Sequence, residues 1–177
     1  MRYALAWRQL SNSGTKPMHD VQAEIDRLLL RVAELEARIA ISELVSDYCH
    51  GFDKRDYSRF LAIWWPDCVW DIGPPFGIFE GHEGIHRAIH EVLWPAWIES
   101  HHLTTNLNIR FLDPQNATSV CDVDCVGTLA DDPQCQIVGA TYEDTLQSRG
   151  GQWKILKRKV QIHYFNPVVG TRLVKPA

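Results

Sequence analysis

HHLTTNLNIRFLDPQNATSVCDVDCVGTLADDPQCQIVGATYEDTLQSRGGQWKILKRKVQIHYF, residues 101–165, is the stretch that decides the fold. Four extended-looking runs follow one another in it: His101–Leu112, Ala117–Ala130, Gln134–Arg149 and Gln152–Phe165. Asp113-Pro114-Gln115-Asn116, Asp131-Asp132-Pro133 and Gly150-Gly151 separate them. These are turn signals of hairpin length, so consecutive runs are expected to pair antiparallel. Within the second run, Cys121-Asp122-Val123-Asp124-Cys125 alternates apolar and acidic residues. The apolar face (Cys121, Val123, Cys125) is expected to point inward, leaving Asp122 and Asp124 in solvent.

Upstream of these strands the pattern is helical. Val21, Ile25, Leu28, Val32, Leu35 and Ile39 follow a 4-3-4-3-4 spacing with charges between them. Two to three heptads are too few to assert a coiled coil, and the seam reads as an amphipathic helix packed on its own domain or on a neighbouring subunit. The pattern continues through Ile41, Leu44, Val45 and Tyr48, and Gly51 is a natural stop. A second helix fits Arg55 to Trp65, closed by Pro66. Cys68–Ile72 reads as a strand and Gly73–Gly77 as a turn. A third helix runs from about His82 to Leu93, where Trp94-Pro95 ends or kinks it. Helices first and antiparallel strands afterwards define an α+β fold, with helices covering one face of a curved sheet.

Composition sets outer bounds. A chain of 177 residues holds one ordinary domain, and 45% hydrophobic with 23% charged residues supports a real core. Residues 1–17 are polar and unpatterned and read as a flexible arm before a single domain over 18–177, with Met18 an alternative natural start. A net charge of −4 argues against a nucleic-acid partner. No apolar run is long enough for a membrane span, and the first residues lack a signal-peptide pattern, so a cytoplasmic protein is expected. Five cysteines, an odd number with no C-x-x-C pair, suit free thiols in a reducing compartment. Seven Trp and eight His in so small a domain point to a ligand pocket.

Two constellations compete for the chemistry. His82-Glu83-Gly84-Ile85-His86 matches the H-E-x-x-H zinc signature, and His90 extends the ladder. Gly81 and Gly84, however, place it in the first turn of a helix, where a solvated face explains the same residues, and no metal is expected. The second constellation is dispersed: Tyr48, Asp53 after Gly51, His101-His102 at a strand start, and Arg158 within Lys157-Arg158-Lys159. Periodicity alone does not bring these together. His101 and His102 are adjacent on a strand and must face opposite sides.

Gly51-Phe52-Asp53-Lys54-Arg55-Asp56, Ile63-Trp64-Trp65 with Trp70 following, Val92-Leu93-Trp94-Pro95, Thr105-Asn106-Leu107, Gly139-Ala140-Thr141-Tyr142 and Trp153-Lys154 carry a resemblance over about residues 30–170. The chain resembles the SnoaL-like branch of the nuclear transport factor 2-like superfamily, in particular its hexachlorocyclohexane dehydrochlorinase subgroup. Scytalone dehydratase and the bile-acid 7α-dehydratase are more distant likenesses. The resemblance implies a cone-shaped barrel, a highly curved and mostly antiparallel sheet with helices closing a deep pocket, and a homotrimer. It implies a catalytic dyad of Asp53 and His102, with His102 the general base, Trp70 lining the pocket and Arg158 steadying charge on the departing group. Cys125 falls where the bile-acid dehydratase has an Asp. Tyr48 departs from the Lys of the dehydrochlorinases and matches the Tyr of the bile-acid dehydratase.

That departure bears on the leaving group. A halide leaves as a stable anion, whereas hydroxide needs a hydrogen bond or a proton, which a phenol can supply. The expectation is therefore a cofactor-independent lyase that removes a proton and eliminates water from a small, mostly apolar cyclic substrate. Trp64, Trp65, Trp70, Trp94, Phe76 and Phe79 are available as aromatic lining, with Trp70, Trp65, Phe76 and Cys125 assigned to substrate binding. The alternatives are elimination of HCl from a chlorinated alicyclic, an isomerase using the same dyad, and a non-catalytic small-molecule-binding module.

Overall fold

The computed structural model describes residues 18–174; the arm expected over 1–17 lies outside the described residues. The chain divides after Glu36 into two compact units. The first described segment, 18–36, is the N-terminal part of helix α1 (Met18–Asp53). Its short-range polar ties are Gln22 donating to Asp26 and Arg27 paired with Glu24. Among the described residues no helix is long and apolar enough to cross a membrane.

The second unit begins with residues 37–53 of α1, whose Ile41, Leu44, Val45, Tyr48, Cys49 and Phe52 are buried at helical spacing. Helix α2 (Tyr57–Ala62) follows, its first turn capped by the Asp56 carboxylate accepting from the Arg59 N–H. Strands β1 (Trp64–Gly73) and β2 (Gly77–Glu80) form a hairpin, then helix α3 (Gly81–Arg87) runs into a π-helical turn (Ala88–Leu93) and a short helix α4 (Trp94–Ala96). Four long strands complete the unit: β3 (Trp97–Asp113), β4 (Asn116–Leu129), β5 (Cys135–Arg149) and β6 (Gln152–Val168).

All six strands form one sheet in the order β2-β1-β6-β5-β4-β3, antiparallel except for the parallel β1–β6 pair. The α+β class and the curved, mostly antiparallel sheet agree with the sequence reading. Residues Cys121, Val123 and Cys125 are buried, whereas Asp122 and Asp124 face outward.

Three element boundaries differ from the sequence reading, each for a tertiary reason. The second helix ends at Ala62, because the Ile155 N–H takes the Ile63 carbonyl and Trp64 enters register with Ile155 on β6. Ile78-Phe79-Glu80, between the expected turn and the expected third helix, pairs with β1 as a strand. Gly51 does not stop α1, which continues to Asp53. A Cβ at Gly51 would lie 2.8 Å from the Phe60 backbone nitrogen. This glycine is there for the close approach of α2, not for helix termination.

The core lies between the helices and the concave face of the sheet. Its largest fully buried side chains include Trp64, Trp70, Phe60 and, unusually, Arg158. Emptying a core site as large as Trp64 costs about 3–5 kcal/mol, so these aromatics carry much of the stability.

Candidate active site

The site begins at a corner. Past the end of α1 the chain turns through Arg55, whose φ of 55° lies in the left-handed region. The Arg55 guanidinium donates to the carbonyls of Trp94 (3.2 Å) and Trp97 (2.6 Å). In return the Trp94 indole N–H donates to the Phe52 carbonyl at 3.1 Å. These three bonds fasten the corner to the start of β3.

A few residues further along β3 stand Ser100 and His102, two apart and therefore on one face. Both reach Asp53. The Ser100 hydroxyl donates to Asp53 Oδ1 at 2.7 Å, and the His102 backbone N–H donates to Oδ2 at 2.8 Å. The His102 ring meets Oδ1 through Nδ1 at 2.7 Å. The carboxylate thus accepts three hydrogen bonds with its side chain only 7% exposed. Burial alone would raise the Asp53 pKa, but the bonds from His102 and Ser100 outweigh it and hold the carboxyl below its ordinary value of 3.8. An ionised carboxylate only accepts, so Nδ1 carries the proton and Nε2 is left with a free lone pair. The rings of Phe52 and Tyr48 flank the imidazole edge-on, at 5.1 Å and 6.0 Å between centroids.

His102 forms part of the wall of an apolar cavity with about 610 Å³ of empty space counted out to its open mouth. Tyr48, Phe52, Trp70, Ile72, Phe76, Leu93, Trp97 and Cys125 line it, with inward residues of β5 and β6. The Trp70 indole N–H is buried without a hydrogen-bond acceptor in the protein. Cys125 Sγ stands 3.9 Å from His102 Nδ1. Its thiol is pushed up to about 12 by burial and then by the Asp53 charge, so it is a neutral wall group and no nucleophile.

The other polar feature of the wall is a pair of phenols. Tyr48 and Tyr142 meet edge-to-face at 5.3 Å between centroids. Burial pushes both phenols well up, so both stay protonated. Behind them Arg158 is completely buried, its guanidinium 4.3 Å from each ring centre. Nε and Nη2 donate to the two oxygens of Asp144 at 2.8 and 2.7 Å, and Ser119 adds a bond to Asp144. Burial alone would depress the Arg158 pKa; the Asp144 charge more than reverses it and keeps the cation permanent. Arg158 Nη1 is buried without a partner.

The fold therefore brings His102, Tyr48, Trp70, Phe76 and Cys125 to one cavity, with Arg158 one layer behind the phenols, while Asp53 reaches His102 from a neighbouring recess that it shares with His50 and Thr104. Trp65 does not line it. Its indole N–H donates to the Gln147 carbonyl, and its ring carries Arg149 and Lys154 on the outer side. Ser100, Tyr142 and Asp144 belong to the site but escaped sequence reasoning. Strand alternation could have found Ser100 from His102, and Asp144 from Tyr142. His101 is exposed and does not line the cavity. Of the histidine ladder, His82 bonds the Trp64 carbonyl at 3.1 Å, while His86 and His90 are exposed and stack against each other and Tyr57. Among the described residues no group of three or more His, Cys, Asp or Glu stands ready to hold a metal ion.

A curved sheet closed by helices around an apolar pocket, with a carboxylate–imidazole pair in its wall, defines a small-molecule enzyme of the cone-shaped α+β kind. Residues 33–159 match the SnoaL-like domain, and the chain belongs to that family. It is 35% identical over 142 residues to hexachlorocyclohexane dehydrochlorinase 1 of Sphingobium indicum, covering 80% of this chain and 92% of that protein. The γ-hexachlorocyclohexane dehydrochlorinase of the same species is 34% identical over an equal span. The crystal structure of LinA superposes with a TM-score of 0.80 at 34% identity, covering 82% of this chain and 99% of that one. A scytalone dehydratase-like protein from Novosphingobium aromaticivorans shares the fold at a TM-score of 0.70 and 20% identity, covering 83% of this chain and 99% of its own. Likeness to named dehydrochlorinases over most of the chain makes this protein an enzyme of the lyase class.

Proposed function

We propose that the chain is a cofactor-independent dehydratase acting on a small, mostly apolar cyclic alcohol. His102 Nε2 removes a proton from carbon while Asp53 holds the imidazole tautomer and supports the imidazolium that forms. The C–H electrons become the new C=C bond and the C–O bond of the adjacent carbon breaks. The imidazolium returns its proton to the departing oxygen, which leaves as water, and the dyad is reset. Tyr48, a phenol in the cavity wall that burial keeps protonated, bonds the departing oxygen through its O–H. Arg158 acts through the phenols, its fixed charge lying against both rings.

The observation that carries this reading is the 2.7 Å bond between His102 Nδ1 and an Asp53 carboxylate already held by two other donors, at the wall of an apolar cavity. His102→Ala is expected to lower turnover by about 10³-fold with an unchanged fold. Near-wild-type turnover would remove His102 as base. Screening cyclic hydroxy-ketones against chlorinated alicyclics identifies the substrate for that measurement.

A second reading, elimination of HCl from a chlorinated alicyclic, is favoured by the names of the relatives. Tyr48→Phe and Tyr48→Lys separate the two. Water elimination requires the Phe variant to lose activity, whereas gain of chloride release by the Lys variant with no loss in the Phe variant supports the second. We also read the catalytic unit as a homotrimer, supported by the exposed Leu103, Val120 and Tyr164 on the outer face of its sheet. A cytoplasmic setting is supported by five free, buried thiols.

A further inference from the structure

We infer that residues 18–36 of α1 form a parallel two-stranded coiled coil with the same segment of a second copy of this chain. The heptad spacing of this segment coincides with exposure. Val21, Ile25, Leu28, Val32 and Leu35 are 43%, 44%, 46%, 49% and 58% exposed, a continuous apolar stripe in contact with solvent in the single chain. The segment is roughly 28 Å of helix at 1.5 Å per residue, and helical stability in proteins comes mostly from packing an amphipathic face rather than from propensity.

The identity of the partner is written in the seam. With Val21, Leu28 and Leu35 at the d positions, the a positions are Ile25 and Val32, followed by Ile39. β-branched residues at a with Leu at d favour two parallel strands. In that register Arg31 at a g position lies opposite Glu36 of the partner subunit at an e position, a pairing of opposite charges. Leu29, 61% exposed, sits at an e position and widens the stripe. An anionic membrane is the poorer partner, since residues 18–36 carry five acidic side chains against two arginines. The SnoaL-like match begins at residue 33, so most of the stripe precedes the enzyme domain and does not serve its fold.

Sedimentation velocity on the full chain at micromolar concentration, beside Leu28→Asp/Leu35→Asp, tests the pairing. Both replaced side chains are exposed, and an unchanged near-UV spectrum of the tryptophans reports an intact catalytic unit. With the catalytic unit a homotrimer, paired segments join two trimers and the variant is expected to fall from six chains to three; with a monomeric catalytic unit it falls from two chains to one, half the wild-type mass in either case. An unchanged mass overturns the proposal, as does a threefold fall. Orientation is read from Leu35→Cys, which mild oxidation is expected to convert to a covalent pair. Failure to cross-link, or cross-linking only in mixtures of Val21→Cys and Leu35→Cys, overturns the parallel arrangement. Binding of the wild-type chain to phosphatidylserine vesicles with no fall in mass for the Asp variant also refutes it.

Discussion

Two buried carboxylates, Asp53 and Asp144, each hold a nitrogen base at 2.7 Å, yet they do opposite work. Asp53 faces an imidazole, a group whose charge can change near neutral pH, and that imidazole opens onto the cavity. Asp144 faces a guanidinium that never loses its proton, and two phenol rings seal the pair from the cavity. The first pair can pass a proton; the second can only hold a field. The sealed pair is also the more deeply buried, 0% and 1% exposed against 10% and 7%, so burial, the partner's chemistry and its access to the cavity together make the difference.

Removing the cation of the sealed pair tests the contrast most severely. Arg158→Met leaves Asp144 charged and uncompensated, and a loss of about 3–5 kcal/mol in unfolding free energy is expected by chemical denaturation. A loss under 1 kcal/mol would mean that the pair is not structural. At the open pair the corresponding truncation is milder. Ser100→Ala removes one of three donors to Asp53 and is expected to cost about 1.5–3 kcal/mol, with a fall in turnover because the carboxylate is less firmly fixed. Turnover unchanged within twofold would make Ser100 a bystander.

The smallest effect is one of pH. The Asp53 carboxyl sits below its ordinary value of 3.8, so its contribution to stability is present above that value and is lost as pH falls through the folded value. The stability gap between wild type and Asp53→Asn is therefore expected to shrink between pH 6 and pH 3. A gap that widens with acid would reverse the sign assigned to Asp53.

The contrast between the pairs also explains what the sequence could tell. Strand runs, the class of fold, and the outward placement of Asp122 and Asp124 follow from alternation, a local property. The Asp53–His102 contact joins residues 49 apart, and only resemblance to a family brought them together in advance. Alternation from Tyr142 places Asp144 on the inward face, but a carboxylate there makes sense only once Arg158, on the neighbouring strand, is known to lie opposite it. Gly51 misled for a similar reason: a helix stop and a close helix contact leave the same residue in the sequence, and only Phe60 distinguishes them.

The π-helical turn Ala88–Leu93 has a consequence of its own. Such a turn holds one residue more than an α-helical one, and shedding it restores the ordinary ladder. Leu93, at its end, lines the cavity, whereas the dyad hangs from α1 and β3. Deleting a single residue of this turn is therefore expected to reshape the wall at Leu93 and also to pull on the Trp94 and Trp97 bonds that hold the corner next to Asp53.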